Sequence, residues 1–177
     1  MSELRSGGLF VAPLIVENGV STLVEALDLF PGARVDVIGV GPERARIAAH
    51  PRVRYLGAAV HGDVQARMRR AAYLIMPSLS YEAAPRALVE AFAGGLPVIA
   101  SRLGALAELV EPGRNGLLFE PGSARDLARR LAWAEAFPEK MRQMGLCARA
   151  DYEARFVAEW GWQTLYGERR RSARATP

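Results

Sequence analysis

Glu82 and Glu90 stand with seven residues between them in Ser78-Leu-Ser-Tyr-Glu82-Ala-Ala-Pro-Arg86-Ala-Leu-Val-Glu90-Ala-Phe-Ala-Gly-Gly-Leu-Pro. The spacing predicts one carboxylate in a loop and the other on the helix that follows it. A carboxylate accepts hydrogen bonds from paired hydroxyls, and a helix N-terminus attracts anions through its unpaired N–H groups and dipole. A pocket combining the two suits a sugar and a ribose joined through phosphate. A blander reading is open to the same residues: Glu90 can pair with Arg86 at i,i+4 on a solvated helix face.

The elements that position these groups are legible around them. Tyr73-Leu-Ile-Met76 reads as a short buried strand closed by Pro77-Ser78. Pro85 suits the first turn of a helix, where its missing N–H costs nothing. Leu88, Val89 and Phe92 recur at helical spacing, and Gly94-Gly95 ends the helix. Along the rest of the chain, strands are predicted at Leu9–Val11, Arg34–Gly39, Val53–Leu56, Pro97–Ala100 and Leu117–Phe119. Helices are predicted over Val20–Phe30, near Glu43–Ala49, over Asp63–Ala72 and near Leu106–Val110, with two or three more from Ala124 through about Arg170. Strands alternating with helices imply an α/β fold, a parallel sheet with right-handed crossovers. With no repeat and no long linker, residues 1–177 read as a single Rossmann-like domain, a six-stranded parallel sheet flanked by helices.

The segment around the two glutamates resembles the E-x7-E signature of the retaining glycosyltransferases of family 4, in a Glu-x-x-Pro-x-x-Leu-x-Glu-Ala variant. Gly95-Leu-Pro-Val-Ile-Ala-Ser101, Leu103-Gly-Ala-Leu-Ala-Glu108 and Gly113-Arg-Asn-Gly-Leu-Leu-Phe-Glu-Pro-Gly122 are similar to later landmarks of that family. Gly39-Val-Gly-Pro42 and Tyr55-Leu-Gly57 match weaker ones. The similarity runs from about Leu9 to Tyr166. It implies a GT-B enzyme, in which two Rossmann-like domains face each other across a cleft. The part resembled is the C-terminal, donor-binding half. The expected function is therefore binding of a nucleoside-diphosphate sugar for transfer of a hexosyl group, with retention and without metal or other cofactor, to an acceptor held elsewhere. At 177 residues there is no room for an acceptor half, so an excised domain, a truncated product or a subunit of a split enzyme is expected, inactive alone.

The resemblance also implies roles. Glu82 would lie at the reacting carbon of the donor sugar, and Glu90 would take the ribose hydroxyls. Backbone N–H groups over Ala83–Arg86, including Ala84 and beside Pro85, would face the diphosphate. Gly57 and Ala58 would meet the nucleobase, and Gly104 would allow close approach of the ligand. The family neutralises the leaving diphosphate with an arginine and a lysine in the first strand-to-helix loop. In this chain Pro13 and Asn18 stand at those two positions. Losing one preorganised charge-stabilising donor costs about 3 kcal/mol of barrier. Arg86, at the start of the Glu90 helix, is the expected partial replacement. The departure also keeps a second reading open, a degenerate relative that binds nucleotide or a protein without transfer.

Composition bounds the remainder. Half of the residues are hydrophobic, enough for a substantial core. No apolar run reaches the length of a membrane span, and Met1-Ser-Glu-Leu-Arg5 lacks the apolar stretch of a signal peptide. Membrane association would come only through the missing half. Cys147 is the single cysteine and reads as a packing residue, compatible with a reducing, cytoplasmic setting. Net charge is +4, and of 23 basic residues only Lys140 is not arginine. Arginine favours phosphate. Interleaved acids and the lack of an aromatic stacking platform argue against nucleic acid as partner.

Overall fold

The computed structural model describes residues 5–81 and 85–157. Among these, six strands form one parallel sheet: β1 Gly8–Val11, β2 Val35–Ile38, β3 Val53–Gly57, β4 Tyr73–Met76, β5 Val98–Ser101 and β6 Gly116–Phe119. They line up in the order β3-β2-β1-β4-β5-β6. The strands are short apolar runs because both faces of a parallel sheet are covered. Val98–Ser101 and Gly116–Phe119 are buried at every position.

Helices α1 Val20–Leu29, α2 Arg44–Ala48 and α6 Ala124–Ala136 cover one face, where Leu23, Ile47 and Leu127 pack on Phe10, Val37 and Ile99. Helices α3 His61–Arg70, α4 Arg86–Ala93 and α5 Gly104–Leu109 cover the other. There Met68, Leu88, Phe92 and Leu106 pack on Leu9, Leu74 and Ala100. Burial of a side chain such as Phe92, fully enclosed, contributes roughly 1.5–3 kcal/mol. The last described helix, α7 Pro138–Asp151, joins the two layers: Met141 and Met144 belong to the first core and Ala148 to the second. Its end runs into a π-helical turn, Tyr152–Phe156. The expected helical stretch beyond Val157 lies outside the described residues.

Two differences from the sequence reading have simple causes. β5 begins at Val98 rather than Pro97: proline has no ladder N–H, and its carbonyl instead accepts from Leu74 N at 2.9 Å. Pro85 is the residue capping α4 rather than one inside its first turn, with ψ at 86° keeping it outside the helix. The stop is as read, with Gly94 closing α4 and Gly95 following at φ +63°.

The strand order carries the functional consequence. From β1 the chain winds outward to β2 and β3, then returns to place β4 on the other side of β1. The loops leaving β1 and β4 therefore diverge from adjacent strands, opening a crevice at the carboxyl edge where α/β folds bind ligands.

Candidate functional site

Two loops frame this crevice. The first follows β1 through Ala12 and Pro13 to a 3-10 turn at Val16–Asn18, ending at Gly19, which caps α1. Leu14 is fully buried and anchors the loop, its N–H donating to Val40 O at 2.9 Å. Asn18 closes it by donating its side-chain amide to Pro13 O at 2.8 Å. The loop has no lysine or arginine, and its one amide side chain is spent on the backbone.

The second loop leaves β4 through Pro77 and a buried Ser78. It is tied to the first by Leu79 N donating to Glu17 O at 2.7 Å. Gly19 lies so close that a Cβ there would sit 1.8 Å from Pro77 O, and its φ is +74°. Only glycine satisfies both constraints. Glu82 and Ala84, assigned to this loop from the sequence, lie outside the described residues.

The chain re-enters at Pro85 and starts α4. Among the described residues no side chain caps its N-terminus, where the first N–H groups of a helix lack intrahelical partners. Glu90 sits one turn in, its side chain only 8% exposed. Arg86 Nε donates to Glu90 Oε1 at 2.7 Å, the i,i+4 pair open from the sequence. His61, at the start of α3, brings Nδ1 to 3.8 Å of the same oxygen, and Gln65 Nε2 meets His61 Nε2 at 2.9 Å. Oε2 of Glu90 makes no hydrogen bond among the described residues. Beside it opens a cleft of about 410 Å3 lined by His61, Gln65, Met68, Arg69, Ala93 and Gly94. The buried carboxylate is thus held through Oε1 and lines this cleft between α3 and α4.

His61 and Gln65 escaped the sequence reading. A histidine four residues past a strand's end carries no signal until the strand order places α3 next to α4. Gly57 ends β3 at φ +73° with no atom within 4 Å of where a Cβ would lie, so backbone conformation alone calls for glycine. Ala58 lines a separate groove of about 410 Å3 with Ile38, Leu56, Asp63 and Arg67. Gly104 opens α5 at φ +51°, on the far side of β5. The structure therefore draws Asn18, Pro85, Arg86 and Glu90 around the crevice between β1 and β4, with Gly57–Ala58 and Gly104 flanking it along the same edge. Among the described residues, no three His, Cys, Asp or Glu side chains converge as a metal cluster. No described helix is long and apolar enough to cross a membrane.

Below the site, Asp151 at the end of α7 accepts both guanidinium nitrogens of Arg114, at 2.6 and 2.7 Å, and Asn115 Nδ2 at 2.8 Å. Burial alone would raise the carboxyl's pKa, yet the hydrogen bonds from Arg114 and Asn115 hold it below the usual carboxylate range. This network fixes the approach to β6 against α7.

The chain is similar to known proteins throughout. The model of the glycosyl transferases group 1 family matches residues 5–135. An exopolysaccharide phosphotransferase of Streptomyces coelicolor is 30% identical over 86% of this chain, which spans 17% of that relative. Among solved structures, Anabaena HepE in complex with UDP-glucose superposes with a TM-score of 0.76 at 26% identity, over 86% of this chain and 45% of HepE. The C-terminal domain of a group 1 family glycosyl transferase from Francisella tularensis superposes at a TM-score of 0.72 and 19% identity. That match spans 87% of this chain and 88% of the solved domain, and shows the shared fold. The chain spans less than half of the length of the phosphotransferase and of HepE. It belongs to the glycosyl transferases group 1 family, as a C-terminal Rossmann-like domain of the GT-B type.

Proposed function

We propose that this domain binds a nucleoside-diphosphate sugar in the crevice between β1 and β4, as the donor half of a retaining hexosyltransferase that needs no metal. The observation that carries this reading is Glu90: a buried carboxylate one turn into α4, steadied on Oε1, whose Oε2 has no hydrogen bond among the described residues. Ribose hydroxyls are the complementary donors. The diphosphate would lie over the N-terminus of α4, where Pro85 and Arg86 begin the helix, and Glu82 would reach the transferred sugar. Gly57 and Ala58 would meet the base, Gly104 would let the ligand approach, and Asn18 would face it from the first loop. The UDP-glucose bound in HepE supports the ligand class. Transfer needs an acceptor-binding domain across the cleft, from the same polypeptide or from a partner subunit.

The test is a thermal-shift series with UDP, GDP, ADP and their sugars, since a ligand of the folded state raises its stability. Stabilisation by one of these nucleotides, lost in Glu90→Ala, is the expected result. Equal stabilisation of Glu90→Ala, or no response to any of the three, would sink the reading. With an acceptor domain supplied, the anomeric configuration of the product by NMR tests retention, and activity in EDTA tests independence from metal.

One observation favours a second reading, a module that binds nucleotide without transfer. The first loop lacks both cations, and Asn18 is turned inward to Pro13. Nucleotide binding without turnover in the presence of an acceptor domain would decide for it.

A further inference from the structure

We infer that Arg102 is a diphosphate-binding cation of this site, standing in for the basic residues absent from the first loop. This rests on the donor-site reading above. A nucleoside diphosphate brings charge that a half-buried crevice must neutralise, and more of it develops as the sugar leaves. Pro13 has no donor, and the amide of Asn18 is committed to Pro13 O at 2.8 Å. Arg86 faces the ligand with its Nε already on Glu90, so its charge is shared with a carboxylate. One partly neutralised guanidinium is a weak counter to a diphosphate.

Many of the other arginines are engaged. Arg44 lies over the Tyr55 ring, Arg46 bonds Ser21, Arg54 and Arg67 hold Asp36, and Arg114 holds Asp151. Arg34 and Arg52 precede strands and Arg69 and Arg70 end α3, at the opposite edge, while Arg125 and Arg129 sit on α6 over the other face of the sheet. Arg102 combines being unengaged with a place at the carboxyl edge, next to β4. It is exposed, and its side chain has no hydrogen-bond or ion-pair partner among the described residues.

Its position is also fixed. The backbone N–H of Arg102 donates to Phe119 O at 2.8 Å, and Leu103 N donates to Ser101 O at 2.8 Å, pinning the residue just past the end of β5. β5 is the immediate neighbour of β4, with Ala100 opposite Met76. Arg102 therefore follows the strand beside β4, at the same carboxyl edge as the loop that leads into α4. On the face of β5 that carries Ala100, Leu88 and Phe92 of α4 pack, so the helix that opens the proposed diphosphate site lies against this strand. A long, unpaired, always-charged fork at that point is suited to phosphate oxygens.

The experiment is calorimetric titration of the full 177-residue chain with UDP, GDP and ADP. For the tightest of the three, its nucleoside and monophosphate are titrated as well, against wild type, Arg102→Ala, Arg102→Lys and Glu90→Ala. The expected result is a roughly tenfold to hundredfold loss of diphosphate affinity in Arg102→Ala, unchanged nucleoside affinity, and partial recovery in Arg102→Lys. Diphosphate affinity of Arg102→Ala within about twofold of wild type overturns the assignment, as does an equal loss for the nucleoside. If Glu90→Ala loses binding while Arg102→Ala does not, only the role of Arg102 falls. If wild type binds none of the nucleotides, the donor-site reading falls and takes Arg102 with it.

Discussion

Asn18 donates to the carbonyl of Pro13 across 2.8 Å, joining the two positions at which the family resemblance implies an arginine and a lysine. The loop after β1 is thereby closed by a neutral hydrogen bond where charge was expected. Its shape is kept and its electrostatics are changed.

Restoring that charge should separate the two effects. Asn18→Lys removes the closing hydrogen bond, worth about 1 kcal/mol, and places an ammonium at the crevice. A lower melting temperature together with tighter nucleoside-diphosphate binding is expected, read by calorimetry and titration on one preparation. Asn18→Ala should lose the stability without the gain in affinity.

Glu90→Gln keeps the shape of the side chain but removes the charge that attracts Arg86 and two hydroxyls. Affinity for the ribonucleotide is expected to fall roughly tenfold or more. The 2′,3′-dideoxy analogue, lacking the hydroxyls, should bind wild type and variant alike. Titration with both ligands checks this.

Gly19→Ala would bring a methyl group to 1.8 Å from Pro77 O at a backbone φ of +74°. Strain in that conformation costs about 1–3 kcal/mol before any clash is relieved. Because relief requires the loops after β1 and β4 to separate, nucleotide binding should weaken with stability. Denaturant unfolding and titration of the variant report the two losses.

The Asp151 network should make the fold acid-sensitive. Its carboxyl is held below its unfolded value, so its contribution is complete above that value, near pH 4, and is lost as pH falls through the folded one. Unfolding free energy of wild type should therefore drop on acidification below about pH 4 more steeply than that of Asp151→Asn. The variant itself should be less stable by about 2 kcal/mol at neutral pH, from loss of a charge-assisted pair. Denaturant titrations at stepped pH test both statements.

Much of this domain was legible from residue order alone. Apolar runs such as Tyr73–Met76 and Pro97–Ala100, bounded by Pro77 and by Gly94-Gly95, specify strands and helices through burial and backbone freedom, which are local properties. The same locality made the Arg86–Glu90 pair readable, since i,i+4 neighbours on a helix must meet. The spacing of Glu82, Pro85 and Glu90 pointed to the family before any contact was known.

Contacts between distant segments were beyond that reading. His61 reaches Glu90 only because α3 and α4 lie side by side on one face of the sheet. Gly19 is indispensable only because Pro77, far along the chain, passes against it. Arg102 acquires its meaning from two facts of the fold, the adjacency of β4 and β5 and the engagement of Arg44 and Arg46 elsewhere on the carboxyl edge. Strand order and side-chain partnership are set by long-range packing, which no window of sequence contains. The chemistry of the groups was therefore written in the chain, and tertiary structure decided which of them remained free to act.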